Sequence, residues 1–230
     1  MSLLVWGARV TRQARWQEDW FPGSPWHNMA ADAALLADIA EGHQGLPVVR
    51  VYQWDRSSVS IGRLQPEEPV QRLYPDLPCV RRPTGGRAVL HGQDLTVTVA
   101  TRTDWLPNDA GRTVLISYRL LMAGLVTTLE EVGHAVCFGR EKLRGGRGSI
   151  NCFDLAAGCD LIDARDGRKL VGSAQRREGG ALLQQMSLPL ALLPDQRAFA
   201  QSLRRGFGQA LRVEEWLYID TPGAICYTDD

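Results

Sequence analysis

No apolar run in this chain of 230 residues approaches the roughly 18 residues that a bilayer-spanning helix requires. Neither sign of charge is in excess. The 26 basic and 26 acidic residues balance, so no overall field favours nucleic acid or an anionic membrane as a partner. Lysine is scarce, with only Lys142 and Lys169 present. Nearly all the positive charge is arginine, which favours local anion pockets over a diffuse basic face. No CxxC pair occurs among the five cysteines, Cys79, Cys137, Cys152, Cys159 and Cys226. That excludes a zinc knuckle or a redox dithiol, and no metal site is expected. An odd number of scattered cysteines fits reduced thiols. Between Met1 and Arg15 a short apolar patch precedes arginines, the reverse of a secretory signal. These features together predict a cytoplasmic protein. Internal repeats, low-complexity tracts and linkers are also lacking. With 44% hydrophobic and 23% charged residues, residues 1–230 read as a single domain with a substantial core and no separate C-terminal accessory domain.

What is present alternates between strand and helix patterns. Asn28 reads as the cap of a helix carrying Met29, Ala33, Leu36 and Ala40, closed by Gly42. Strands are expected over 46–53 and 57–61, around a polar turn at Asp55-Arg56. Two more are expected over Val80 to Arg82 and Ala88 to Val99. In the second, Leu95, Val97 and Val99 alternate with Thr96 and Thr98. A long helix follows from about Arg112, with Leu115, Tyr118, Met122, Leu125 and Leu129 on one face and Gly133 at its end. The polar, glycine-rich segment Arg140 to Ser149 reads as a mobile loop. Strands at Cys159 to Asp163, Lys169 to Ala174 and Ala181 to Leu188 come next, the first two joined by a hairpin signal at Asp166-Gly167. A helix near Gln196 to Leu211 leads into a strand-like tail, Trp216 to Ile219. The order predicts an α/β (α+β) fold with a mixed sheet flanked by helices, not a doubly wound one.

Three stretches carry chemistry. In Arg81-Arg82-Pro83-Thr84-Gly85-Gly86-Arg87-Ala88-Val89-Leu90-His91, glycines permit close backbone approach and arginines offer planar donors for carboxylate or phosphate. The stretch is neither a phosphate loop nor a dinucleotide fingerprint, and Gly-Gly bends also occur in strands that touch no ligand. In Gly167-Arg168-Lys169-Leu170-Val171-Gly172-Ser173-Ala174-Gln175, a lysine stands on an apolar strand. It is either an ordinary edge-strand lysine or one pointed at an anion or a developing oxyanion. Cys152, in Asn151-Cys152-Phe153-Asp154, is either a small packing residue or a thiol. Near a lysine ammonium such a thiol has a lowered pKa and can act as a nucleophile. Cys79, Cys137, Cys159 and Cys226 read as structural. Thiol, lysine and glycine turn together would support acyl transfer.

In one order the chain carries Asn28-Met29-Ala30-x-Asp32-x-Ala34-Leu35-Leu36, Val59-Ser60-Ile61-Gly62-Arg63-x-Gln65, the Arg-Arg-x-Thr-Gly-Gly block from Arg81, and Lys169-x-Val171-Gly172-Ser173-Ala174-Gln175. This series resembles the biotin/lipoate ligase superfamily in its lipoate–protein ligase and octanoyltransferase branch, over about Asn28 to Leu188. The Gly-Arg-Gly-Arg signature of biotin ligases is absent where Arg81 to Arg87 stands. The resemblance implies a mixed-sheet catalytic domain whose apolar tunnel holds an eight-carbon acyl group, octanoyl or lipoyl. It implies delivery of that group to one lysine of a lipoyl carrier domain, such as the glycine-cleavage H protein or a 2-oxoacid dehydrogenase subunit. Carried over by motif, Arg82, Thr84, Gly85, Gly86, Arg87 and His91 bind the acyl and activated-carboxyl end. Lys169 contacts the carbonyl or phosphate, and Gly172, Ser173 and Ala174 form wall. Burying about seven methylenes at roughly 0.8 kcal/mol each contributes about 5 kcal/mol of affinity.

Two routes fit the resemblance. One takes the acyl group from octanoyl acyl carrier protein through a thioester on Cys152 and needs no tightly bound cofactor. The other ligates free lipoate with ATP and magnesium through an acyl-adenylate. The position of Cys152, Arg87 after the Gly-Gly pair, and the short chain beyond the resemblance favour the first. A different class of reading is a silent relative that binds a lipoyl domain or acyl ligand without catalysis. The resemblance departs at Leu183-Gln184-Gln185-Met186-Ser187, where the family reads Leu-Gln-His-Gly-Ser. The change predicts a pocket that is narrower or tuned to another acyl chain.

Overall fold

The structure is a computed structural model that describes residues 11–139, 150, 152, 158–193 and 195–219. The expected loop from Arg140 to Ser149, and Asn151, Phe153, Asp154 and Cys226, lie outside the described residues. The strands are β1 (Gln13–Gly23), β2 (Val48–Trp54), β3 (Ser58–Ile61), β4 (Cys79–Arg81), β5 (Val89–His91) and β6 (Asp94–Arg102), then β7 (Val136–Phe138), β8 (Leu161–Asp163), β9 (Lys169–Glu178), β10 (Ala181–Pro189) and β11 (Glu215–Tyr218). The helices are α1 (Pro25–Ala40), α2 (Glu68–Leu73), α3 (Val114–Glu131) and α4 (Gln196–Leu211). Eight strands form one sheet in the order β11-β1-β2-β6-β10-β9-β8-β7, and β4-β3-β5 form a small second sheet. In the large sheet β1 runs parallel to both its neighbours, and the pairs from β2 onward are antiparallel. The expected mixed sheet is therefore present.

The central strands are two-faced, and the alternation sorts their side chains. Leu95, Val97 and Val99 of β6 join Leu182, Met186 and Leu188 of β10 in the main apolar cluster beneath α3 and α4. Thr96 and Thr98 point the other way, toward α1 and the small sheet, and lie opposite Ser187 and Gln185. That second face holds the polar groups and the cavity described below.

Several boundaries differ from the sequence reading. Ser24, not Asn28, caps α1: its hydroxyl accepts from His27 N at 3.2 Å, and Pro25 fills the first helical position. A serine before such a proline is the stronger start signal. Asn28 is instead fully buried and donates to the carbonyls of Gly23 and Gln53. The strand expected over Ala88 to Val99 is two strands in different sheets, parted at Gly92. There φ is +114°, and a Cβ would meet Ser57 Cα at 2.9 Å, so only glycine turns that corner. Leu115 is exposed at the start of α3, while Tyr118, Met122, Leu125 and Leu129 are buried as expected. β1 had no sequence signal beyond the buried pair Ala14 and Trp16, because charged residues interrupt it.

Between α1 and the sheet, Arg50 is 1% exposed and donates to Asp19 at 2.7 Å and Asp32 at 3.0 Å. Asp32 also accepts from Tyr52 and Thr98 at 2.8 Å and from Gln185 at 2.6 Å. Removing one member of such a buried pair leaves an uncompensated charge. Asp32→Ala is therefore expected to cost about 3–5 kcal/mol of stability, read as a lowered urea midpoint at unchanged slope. A loss below about 1 kcal/mol would mean that Asp19 alone satisfies Arg50.

Candidate active site

A cavity lies between the second face of the large sheet and the small sheet. Met29 of α1 and Tyr52 and Trp54 of β2 form one side. Ser60, Val89 and His91 of the small sheet form another, and Gly172 and Ala174 of β9 a third. The polar wall residues turn their polar atoms onto one another, as detailed below, so the space is apolar in character. Cys152 stands on its rim.

The glycine turn is fastened by Arg82. Its Nε and Nη2 donate to the Gly85 carbonyl at 3.1 and 2.7 Å, and Nη2 also donates to Arg87 O at 2.6 Å. Nη1 donates to Ser60 O and Oγ at 3.0 and 3.2 Å. All five N–H bonds of the fork are thus engaged within the chain. Burial draws this guanidinium's pKa down to about 10. The sequence reading offered Arg82 as an anion donor; its contacts make it the fastener of the turn. Gly62, at the end of β3, lets the turn approach: a Cβ there would sit 2.0 Å from Gly86 O.

Behind the turn, Thr84 is fully buried and donates to Gln185 Oε1 at 2.6 Å, while Gln185 Nε2 donates to Asp32. His91 stacks on Trp54 with centroids 3.7 Å apart. Its Nδ1 lies 2.8 Å from Asp94 Oδ2 and its Nε2 lies 2.7 Å from Ser60 Oγ. With Asp94 accepting from Nδ1–H, Nε2 accepts the hydrogen bond of the Ser60 hydroxyl. The order of contacts is that of a Ser-His-Asp relay. Here, however, Arg82 also donates to the Ser60 oxygen and Trp54 covers one ring face, so the network locks the histidine into the wall. Burial would raise the Asp94 carboxyl, but His91, Ser187 and Gly92 N hold it below the usual carboxylate range.

Thiol and ammonium meet at the rim. Lys169 Nζ lies 3.4 Å from Cys152 Sγ and donates to Cys152 O at 2.9 Å. The same ammonium pairs with buried Asp160 at 2.8 Å. Backbone bonds from Ala88 N to Ile150 O (3.1 Å) and from Cys152 N to Ala88 O (2.8 Å) fix the thiol beside β5. The neighbouring Cys159 thiol is pushed up to about 11, first by burial and then by the Asp160 charge, which fits a packing role.

The family model for the lipoyl protein ligase A/B catalytic domain matches residues 24–212. The chain belongs to that family. It is 39% identical over 184 residues to an octanoyltransferase LipM of an Exiguobacterium species, covering 74% of this chain and 63% of the relative. To the octanoyltransferase LipM of Staphylococcus aureus it is 37% identical over 175 residues, covering 71% and 61%. This chain thus spans less than two thirds of the length of those relatives. A lipoate-protein ligase A crystallised with ATP superposes with a TM-score of 0.70 at 20% identity, over 90% of each chain. That likeness is one of fold.

Of the residues singled out in this lipoyl ligase family chain, Arg82, Gly86, His91, Cys152, Gly172, Ser173 and Ala174 border the cavity. Lys169 touches the thiol. Thr84 stands behind the wall, and Gly85 and Arg87 line an outer groove instead. Met186 packs in the cluster under α3 and α4 and also borders the cavity. The half of the departure from the family motif that turns to the polar face of the sheet is Gln185. Sequence reasoning missed Asp160, Ser60, Trp54 and Asp94. Only Ser60 stood in a motif already singled out, and Asp160 lies just before β8, the strand that precedes the lysine strand.

Because its folded pKa is depressed, ionised Asp94 stabilises the fold above the ordinary carboxyl range, and that contribution is lost as pH falls through its folded value. Asp94→Asn is expected to flatten the loss of stability between about pH 5 and about pH 1, measured by denaturant titration across that range. Parallel curves for the two proteins would place the acid-sensitive groups elsewhere.

Proposed function

We propose that this chain is an acyltransferase that places an octanoyl or lipoyl group on a lysine of a lipoyl carrier domain. The group comes from a carrier-protein thioester by way of a thioester on Cys152. The observation that carries this reading is the pair Cys152 Sγ and Lys169 Nζ, 3.4 Å apart at the rim of an apolar cavity. The octanoyltransferase names of relatives 37–39% identical support it.

In the first half-reaction the Cys152 thiolate attacks the donor carbonyl, and the donor carbon–sulfur bond breaks. Lys169 supplies the proton to the leaving thiol, and the acyl chain rests in the cavity. In the second, the carrier lysine's amine attacks the Cys152 thioester. Neutral Lys169 takes the amine's proton while Cys152 leaves. Asp160 holds the lysine in place throughout. The proposed compartment is the cytoplasm; among the described residues no helix is long and apolar enough to cross a membrane.

A second reading, ATP-dependent ligation with magnesium, is favoured by one observation. The open groove beside the cavity carries arginines that suit a nucleotide's phosphates.

Intact-mass analysis of an apo lipoyl domain separates the routes. Octanoyl transfer from octanoyl carrier protein without ATP is the expected result; lipoylation only with lipoate, magnesium and ATP would establish the ligase. Lys169→Ala is expected to abolish transfer by either route, and Cys152→Ser only the thioester route. Full ATP-free transfer by Cys152→Ser would sink the thioester.

A further inference from the structure

Beside the cavity lies a second, more open groove. Arg63, Arg87 and Arg176 line it, and among the described residues no acidic side chain does. The groove meets the acyl cavity at Gly86, which lines both. Ile150 borders the groove and Cys152 borders the cavity. The two flank Ala88 through the backbone bonds already described. A thioester with its carbonyl at Cys152 therefore has one space for its acyl chain and another for its thiol arm.

The arginines near the turn differ in how they are engaged. Arg82 has every N–H bonded within the chain. Arg81 bonds to the carbonyls of Gly62, Arg63 and Gln65 and pairs with Glu67. Arg176 pairs with Glu178 on its own strand. Among the described residues the exposed Arg63 guanidinium has no such partner, so an incoming anion displaces only water from it.

We propose that the groove receives the arm of the acyl donor, and that Arg63 binds a phosphate on that arm. The inference rests on the acyl-transfer reading above. The ligand class is a thioester whose thiol arm carries a phosphate ester, as in the phosphopantetheine of a carrier protein or in coenzyme A. Guanidinium suits this group because its fork matches phosphate oxygens and stays charged at every working pH.

The test follows acylation of Cys152 in the full chain by quenched intact-mass analysis, with no acceptor present. Four donors are compared: octanoyl-pantetheine, octanoyl-4′-phosphopantetheine, octanoyl-coenzyme A and octanoyl carrier protein. The phosphorylated small donors are expected to react at least about tenfold faster at low concentration than octanoyl-pantetheine, the change one charge-assisted contact brings. Salt should shrink that ratio, and Arg63→Ala should bring it toward one. A ratio near one in the unaltered protein, or one unmoved by Arg63→Ala, overturns the proposal. So does acceleration by the carrier protein alone, which would locate recognition in the protein and not in its phosphate. Rates with coenzyme A and carrier protein distinguish the two sources once the phosphate effect is seen. Failure of all four donors to acylate Cys152 would remove the transferase reading itself.

Discussion

The carboxylate of Asp32 lies fully buried between α1 and the large sheet and collects four donors, from Arg50, Tyr52, Thr98 and Gln185. Burying a charge there is tolerable only because both carboxylate oxygens accept hydrogen bonds and Arg50 supplies the opposite sign. The donors come from β2, β6 and β10, so one side chain of α1 fixes the helix across three strands. The connection does not stop at the sheet. Through Gln185 it reaches Thr84, and through Thr84 the glycine turn that closes the cavity. The position of the turn thus depends on a polar network that is itself dry, in which any lost partner leaves a costly orphan.

The arginine-rich composition reads differently once the contacts are known. Composition pointed to anion pockets, and the Arg-Arg pair before Thr84 suggested where one would be. The two arginines of that pair instead bond to backbone carbonyls and fasten β3, the turn and the loop after β3 together. Guanidinium suits this work because its planar fork can satisfy several carbonyls at once. Among the described residues the guanidinium left facing outward without a partner is that of Arg63, which no local sequence rule distinguishes from the rest. Sequence gives the residue type; only the backbone path decides whether its donors point at the chain or away from it.

Much of the fold was legible because its cause is local. The alternation of Leu95, Val97 and Val99 with threonines marked β6, and the apolar face of α3 and the span of α4 followed from periodicity. The juxtaposition of Cys152 with Lys169 was foreseen only as a possibility of chemistry, since 17 residues separate them and β9 alone brings the ammonium back to the thiol. β1 was illegible for a physical reason. Its strand is held by parallel pairing to β2 and β11 and not by a hydrophobic pattern of its own. The relay of Ser60, His91 and Asp94 was hidden too, because Gly92 sends β5 and β6 into different sheets and folds Asp94 back onto the histidine.

The Gln185-Met186 pair shows how strand parity divides one departure from a family motif into two unrelated effects. Adjacent residues on β10 face opposite sides of the sheet. Met186 therefore adds volume to the core beneath α3 and α4, where a flexible thioether adapts to irregular space. The Gln185 side chain turns to the polar face of the sheet, where the motif has histidine. An amide presents an acceptor and a donor at once and does not titrate. Its oxygen accepts from Thr84 and its nitrogen donates to Asp32, and the amide adds no titration of its own to this chain. A histidine at that position would hold Thr84 only in one tautomer, and on protonation it would present a donor to the hydroxyl instead of an acceptor. The substitution thus removes a titratable group from the wall while preserving the link that holds the glycine turn.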